Sequence, residues 1–299
     1  MTMNAPKVSV VCMVYKHEPY LRQCFDGFVM QKTSFPIEIL VNDDCSPDGS
    51  AEVMREYEER YPDLFHCIYQ KENQYSKGKM AWWEVLFPMA QGEYIAICEG
   101  DDYWVDPYKL QKQVDFMDQH PDYVACFHNA RVQYDDHVSL FNALDENHYP
   151  STEDIIKRHW FIATPTLFFR NVLRDYPEWR GEVLNGDYLL ELLLAREGKF
   201  YYMDDAMAVY RQDGQGMSSV LKRNKVDMVD RLISLLEKTK PFFDEKYASS
   251  FDESIKNYQG IRANYAKEAY YEQHPIARAF RPKTYKRMIK KRLRKWLKP

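Results

Sequence analysis

The sequence lacks any apolar run long enough to cross a bilayer. A spanning helix needs roughly 18 to 20 apolar residues, whereas the longest strand-like run, Val8–Tyr15, already includes Ser9. The opening residues MTMNAPK hold no apolar stretch of the kind a secretory signal uses, so none is expected. Paired cysteines are missing as well. Cys12, Cys24, Cys45, Cys67, Cys98 and Cys126 are scattered and never form a CxxC unit. That argues against a zinc site or a disulfide framework and for a reduced, cytosolic chain. Cys12 and Cys98 sit inside apolar runs, where a thiol behaves as a small hydrophobe. No GxGxxG follows the first strand-like segment and no GxxxxGK[ST] occurs, which disfavours dinucleotide-binding and P-loop folds.

Most of the chain is also short of positive charge. The formal net charge is −4, but eleven Lys or Arg residues fall between Arg278 and Lys298, and no acid follows Glu272. The remainder holds 30 basic against 45 acidic residues. An acidic body is a poor partner for nucleic acid, whose affinity comes from neutralising phosphates, so no nucleic acid is expected. In the basic tail, Tyr285, Met288, Ile289, Leu293, Trp296 and Leu297 recur at the spacing of one helix face. A basic amphipathic helix with Trp and Leu on its apolar side suits an anionic membrane surface, each cation contributing about 1 kcal/mol. Competing readings are a solubilising tail, a helix docked on the acidic body, or a nucleic-acid arm.

What is present points to a folded α/β chain. With 299 residues, 45% hydrophobic and 15% aromatic, it is neither disordered nor too small for a large core. It fits one large domain or one domain with an appendage. Short apolar runs predict strands at Val8–Val14, Glu38–Asn42, Phe65–Tyr69, Tyr94–Cys98 and Tyr123–His128. Helical periodicity predicts helices at Tyr20–Met30, Ser50–Arg60, Met80–Ala90 and Lys109–Gln119. This alternation predicts a mostly parallel sheet covered on both faces. Farther on, a helix is expected near Glu153–Arg158 and a strand at Thr166–Arg170. A helix near Asp187–Arg196 precedes strands at Phe200–Met203 and Ala208–Arg211, a loop at Gln212–Ser219, and helices from Val220 to about Tyr271.

In such sheets the ligand sits beyond the carboxyl ends of the strands. There the second strand runs into Asn42-Asp43-Asp44-Cys45-Ser46 and the fourth into Glu99-Gly100-Asp101-Asp102. Adjacent carboxylates suit a hard divalent cation that bridges to a phosphate, although acids in such loops also cap helices. The second acidic loop at the same edge favours a nucleotide. Asp43 reads as structural, bonding backbone in its own turn. Trp104 reads as packing under the loop or facing a sugar ring, and Trp82 and Trp83 as packing residues.

Four segments carry a resemblance: VSVVCMVY at Val8–Tyr15, EILVNDDCSPDGS at Glu38–Ser50, GEYIAICEGDDYWVDPYKLQKQ at Gly92–Gln113 and NGDYLLELLLAREG at Asn185–Gly198. In order and spacing the chain resembles family 2 glycosyltransferases over roughly residues 7–215. The resemblance implies a GT-A (Rossmann-like) fold, a mostly parallel mixed sheet flanked by helices, here with a C-terminal helical extension. The expected organisation is a catalytic domain over 1–215, the extension over 216–275 and the basic tail over 276–299.

It further implies transfer of a sugar from a nucleotide-sugar donor, a UDP-sugar as the expected form, to a glycan in surface polysaccharide biosynthesis. Asp44 matches the residue that contacts the base, and the strand end around Met13 to Tyr15 lines the same pocket. Asp101 matches the position near ribose and diphosphate, Asp102 the Mn²⁺ or Mg²⁺ ligand, and Glu99 the leading acid of that motif. Lys77 or Lys79 falls where the family often has a basic residue. Asp187 matches the catalytic base, with a helix N-cap as its alternative. Many relatives carry a His shortly after the later Tyr-Arg; here Tyr210-Arg211 is followed by Asp213, either an oxygen ligand for the cation or a turn residue before Gly214.

A base and a leaving-group clamp on opposite faces of the sugar imply a single displacement with inversion. The basic tail suggests an enzyme held peripherally on the inner membrane face, beside a polyprenyl-diphosphate-linked acceptor. A transferase with a soluble or protein acceptor is one alternative. A catalytically silent nucleotide- or glycan-binding scaffold is the other.

Overall fold

The computed structural model describes residues 5–134, 136–142, 144, 149–159, 161–183, 185–212 and 224–273. Asp213 and the Tyr285–Leu297 tail lie outside the described residues. The chain divides into two compact units, one drawn from 1–150, 162–182 and 193–213, the other from 151–161, 183–192 and 214–299.

Among the described residues, the first unit holds a nine-stranded sheet. Its strands are β1 (Val8–Val14), β2 (Ile37–Asp43), β3 (Phe65–Tyr69), β4 (Tyr94–Ile97), β5 (Tyr103–Trp104), β6 (Tyr123–Gln133), β7 (Val138–Leu140), β8 (Phe168–Arg170) and β9 (Lys199–Arg211), in the order β3-β2-β1-β4-β8-β6-β9-β5, with β7 beside β6. Strands β1, β2, β3 and β4 are parallel to their neighbours in that group, as is β6 to β9. Strand β8 runs antiparallel between β4 and β6, and β5 runs antiparallel to β9. The α/β expectation therefore holds with a more mixed sheet.

Central β1 is buried along almost its whole length, as a strand covered on both faces must be. Covering it, α1 (Glu18–Val29) turns Leu21, Cys24, Phe25 and Phe28 inward at i, i+3, i+4 and i+7. Helices α2 (Ser50–Arg60) and α4 (Lys109–Gln119) form where periodicity placed them.

One expectation fails and another is met in altered form, each for a local reason. Residues Phe200–Met203 and Ala208–Arg211 belong to one strand, β9, rather than two. Its polar middle reads as a break, but the register passes from His128↔Met203 to Asn129↔Ala206, so exposed Asp204 and Asp205 fall in a bulge that preserves the pairing. The helix expected over Met80–Ala90 does form, but with a π-helical turn, Trp82–Leu86, running into the short α3 (Phe87–Met89). Pro88 has no N–H to donate, which suits a first turn and little else in a helix. Trp82 and Trp83 are buried there against Phe87 and Tyr176, as packing residues.

The second unit contains α5 (Thr152–Lys157), the start of α6 (Gly186–Glu197), α7 (Lys225–Thr239) and α8 (Ala248–Gln273). A capping box between Ser151 and Asp154 starts α5. The Tyr188 hydroxyl donates to Ile156 O at 2.8 Å, and Lys157 pairs with Glu253 at 2.6 Å, tying α6 and α8 to α5. Helix α7 buries Val229, Leu232, Ile233 and Leu236 on one face. Among the described residues, no helix is long and apolar enough to cross a membrane.

Candidate active site

The site begins where β1, β2 and β4 end side by side. Met13 pairs with Asn42 and Val14 with Asp43. Beyond the strands the loops stay tied: Asp44 N donates to Val14 O at 2.9 Å and Gly100 N to Met13 O at 3.0 Å. Two residues just past these strands, Lys16 at φ 61° and Cys45 at φ 60°, occupy left-handed backbone that non-glycine residues seldom adopt. Such conformations persist only when the surroundings impose them. Here Ser46 Oγ accepts from Lys16 N at 3.0 Å, and Asp43 accepts from Ser46 N at 3.1 Å. Asp43 is thus structural, as expected, and burial raises its carboxyl pKa against the opposing Ser46 bonds.

Asp44 is buried at the end of β2, and its two oxygens accept from Gln74 N (2.7 Å) and Tyr75 N (3.1 Å). The acid therefore fixes the Gln74–Lys79 loop over this edge. Lys79 lies on that loop and is exposed, while Lys77 pairs with Glu72. Tyr15 is exposed and Met13 half-buried.

After β4, Glu99-Gly100-Asp101-Asp102 passes the end of β1, where Gly100 is tied to Met13, and leads into β5. Asp102 is fully buried; its Oδ1 accepts from Arg211 N at 2.9 Å, while its Oδ2 is buried with no hydrogen-bond partner. Asp101 Oδ1 is likewise buried and unpartnered. Burial, then the neighbouring Asp101, raises the Asp102 carboxyl pKa well above the usual range. Buried acceptors are nearly always satisfied in folded proteins, so two orphaned carboxylate oxygens on adjacent residues fit a cation. Among the described residues, no group of three or more His, Cys, Asp or Glu could hold a metal. The pair would therefore complete a coordination shell with water or phosphate oxygens, as Mg²⁺ habitually does. Asp213 lies outside the described residues.

Two residues here escaped the sequence reading. His17 presses on Gly100, where an added Cβ would meet His17 Nδ1 at 2.8 Å. Its Nδ1 is buried without a partner and its Nε2 stands 3.9 Å from Asp101 Oδ2. Arg211 closes the other side: its guanidinium donates to Asp101 O and Gln23 Oε1 and lies 4.4 Å from the Tyr103 ring centroid. The Tyr-Arg stretch noted for its missing His is thus the signal that could have pointed to Arg211. Trp104 is buried, its indole N–H donating to Pro165 O at 2.9 Å, so it packs under the loop.

Asp187 belongs to the second unit. It stands in the first turn of α6, where its Oδ1 accepts from Tyr188 N at 2.8 Å, and burial raises its pKa. One turn on, Glu191 is buried with Oε2 unpartnered; burial, then Asp187, raises its pKa well above the ordinary range. Sequence reading missed this second acid, although a Glu inside Leu189–Leu194 interrupts an otherwise apolar run.

The chain is 37% identical over 212 residues to an uncharacterized protein of Mycobacterium tuberculosis, covering 70% of this chain and 60% of that one. The chain thus spans about three-fifths of its mycobacterial relatives. It is 32% identical over 117 residues to Bacillus subtilis TuaG, named for teichuronic acid biosynthesis, covering 39% of this chain and 44% of TuaG. In fold it is similar to the mannosyltransferase PcManGT of Pyrobaculum calidifontis, solved with GDP-Man and Mn²⁺ (TM-score 0.62, 16% identity, 98% and 85% coverage). It is also similar to residues 1–349 of S. aureus TarS solved with UDP (TM-score 0.57, 15% identity, 88% and 92% coverage). The family described as glycosyl transferase family 2 matches residues 9–176, more than half of the sequence and the part that holds the Asp44 and Asp101–Asp102 loops, and the chain belongs to that family of glycosyltransferases.

Proposed function

We propose that this glycosyltransferase moves a sugar from a nucleotide-sugar donor to a hydroxyl of a growing surface glycan, with inversion at the anomeric carbon. The observation that carries the proposal is the Asp101–Asp102 pair, with an orphaned buried oxygen on each residue at the edge shared by β1, β2 and β4. The relative named for teichuronic acid biosynthesis, and the neighbours solved with UDP or GDP-Man, support the donor and acceptor classes.

In this reading the ends of β1 and β2 receive the nucleoside, with Met13 and Tyr15 at the wall. Asp44 holds the Gln74–Lys79 loop and offers its remaining acceptor capacity to the base, since a carboxylate accepts more than two hydrogen bonds. Lys79, on that loop, faces the diphosphate charge. Glu99 and Asp101 line the ribose side. Asp102, with Asp101 beside it, would hold Mn²⁺ or Mg²⁺, which supplies charge neutralisation for a nucleoside diphosphate. Asp187 takes the proton from the acceptor hydroxyl as the new glycosidic bond forms; its raised pKa brings it closer to the range where a general base works best. The nucleoside diphosphate leaves with the electron pair of the broken bond.

The test is donor turnover with added Mn²⁺. The reading requires Asp187→Asn to lose turnover while still binding nucleotide. Nucleotide binding without turnover on any donor would mark the chain as a silent scaffold. For the acceptor, we propose a polyprenyl-diphosphate-linked glycan at the inner membrane face, the basic 276–299 tail concentrating the enzyme there. Liposome flotation on anionic vesicles checks this: equal recovery with and without the last 22 residues would remove the membrane from the proposal.

A further inference from the structure

Beneath the Asp101–Asp102 loop the chain buries an ammonium group without a carboxylate to receive it. Lys109, the first residue of α4, has no exposed surface; its Nζ donates to Gln113 Oε1 at 2.7 Å and lies 4.0 Å from the Trp104 ring centroid. Asp106, an acid near enough to act on it, is paired with Lys112 at 2.8 Å instead. Burying a cation is costly, and one neutral hydrogen bond and one cation–π contact return only part of that cost. Burial pushes Lys109 down to about 7, and burial, with Lys109, pushes His128 well below its usual range. So costly a group is better understood by what it holds in place.

It holds Trp104. Gln113 passes the link on, its Nε2 donating to Thr166 O at 3.2 Å, while the Trp104 indole donates to Pro165 O. Phe28 packs edge-on against Trp104, and Gly27 lets the Trp104 backbone approach so closely that a Cβ would stand 3.0 Å from its N and O. These contacts matter because β5 is only Tyr103 and Trp104, paired with Val209 and Ala208 of β9. So short a strand has little ladder of its own. Its side-chain anchors decide where it lies, and Asp102 is the residue immediately before it.

We propose that Lys109 is a positioning residue for the donor site: through the Trp104 ring and Gln113 it fixes β5, and thereby the place where the Asp102 carboxylate meets the nucleoside diphosphate. The proposal rests on the reading that Asp101 and Asp102 serve the donor.

The test compares the full-length parent with Lys109→Met, Gln113→Met, Val114→Ala and Asp102→Asn, measuring melting temperature and calorimetric Kd. The probe is whichever of UDP, GDP, ADP and dTDP binds the parent most tightly in the presence of Mn²⁺. Lys109→Met removes a buried cation and melts no lower than the parent, yet weakens nucleotide–Mn²⁺ binding about tenfold, because ångström-scale misplacement is costly. Gln113→Met shifts Kd the same way by less. Val114→Ala, a buried truncation on the same helix, lowers the melting temperature and leaves Kd alone. Should Lys109→Met fail to fold, Gln113→Met decides by the same criterion. A loss of binding in Asp102→Asn with parental Kd in both Lys109→Met and Gln113→Met overturns the positioning role alone. Equal binding by parent and Asp102→Asn, or no binding by the parent, overturns the donor-site reading beneath it.

Discussion

The two edges of the same sheet treat buried polar groups in opposite ways. At the amino edge they close on one another. Ser9 Oγ donates to Glu38 Oε1 at 2.5 Å, and Glu38 Oε1 also accepts from Gln91 N at 2.8 Å, while Ser9 Oγ accepts from Gly92 N at 2.8 Å. Arg170 spends its donors on Tyr123 O, Tyr94 Oη, Met117 O and His120 O. At the carboxyl edge Asp101 Oδ1, Asp102 Oδ2, His17 Nδ1 and Asn42 Nδ2 are buried and unmatched. Since an unsatisfied buried group costs about 1–3 kcal/mol, the first edge is built for stability. The second leaves polar atoms unmatched where the proposed donor would bind.

The sharpest way to break that contrast is a matched pair of isosteric changes. Asp102→Asn is expected to reduce transfer by about 10²–10³ with a melting temperature equal to or above the parent, since a buried acid is neutralised. Glu38→Gln should do the reverse, lowering the melting temperature while turnover per folded molecule stays parental. Activity loss in Glu38→Gln without a stability loss would erase the distinction.

A second pair uses glycines. A Cβ at Gly92 would stand 2.5 Å from Ser9 N, and one at Gly100 would stand 2.8 Å from His17 Nδ1 and Leu21 Cδ2. Overpacking of this kind costs about 1–3 kcal/mol, so Gly92→Ala and Gly100→Ala should both lower the denaturation midpoint. Only Gly100→Ala should also raise the Michaelis constant for the donor.

The buried ammonium supplies a pH test. Lys109 titrates near 7 when folded against 10.5 for a free lysine, so between those values the unfolded chain binds more protons and stability rises with pH. Lys109→Met should flatten that rise in urea titrations at pH 7 and 9. The smallest effect is expected from Ser46→Ala, which removes the acceptor for Lys16 N: about 0.5–1.5 kcal/mol, read by chemical denaturation.

Strands β1 to β4 could be read from the sequence because each is a short apolar run, and helices α1, α2 and α4 because each keeps the helical period. So could the places of Asp44 after β2 and of Asp101–Asp102 after β4, because parallel strands deliver their following loops to one edge. Strand β9 could not, since the Asp204–Asp205 bulge hides its continuity. Neither could the roles of His17 and Arg211, whose neighbours come from remote segments, nor that of Lys109, whose partners Trp104 and Gln113 are close in sequence but whose burial is set by the rest of the fold. Asp187 was legible as an acid opening a helix, but its companion Glu191 shows only through burial.

Composition and local pattern determined by themselves that this is an α/β chain with acidic loops after β2 and β4, because side-chain period and strand-to-loop order are properties of contiguous residues. Which of those acids would be left with an unsatisfied oxygen, and which lysine would lie buried under them, was decided only in the tertiary structure. Desolvation depends on what the rest of the chain brings to within a few ångströms.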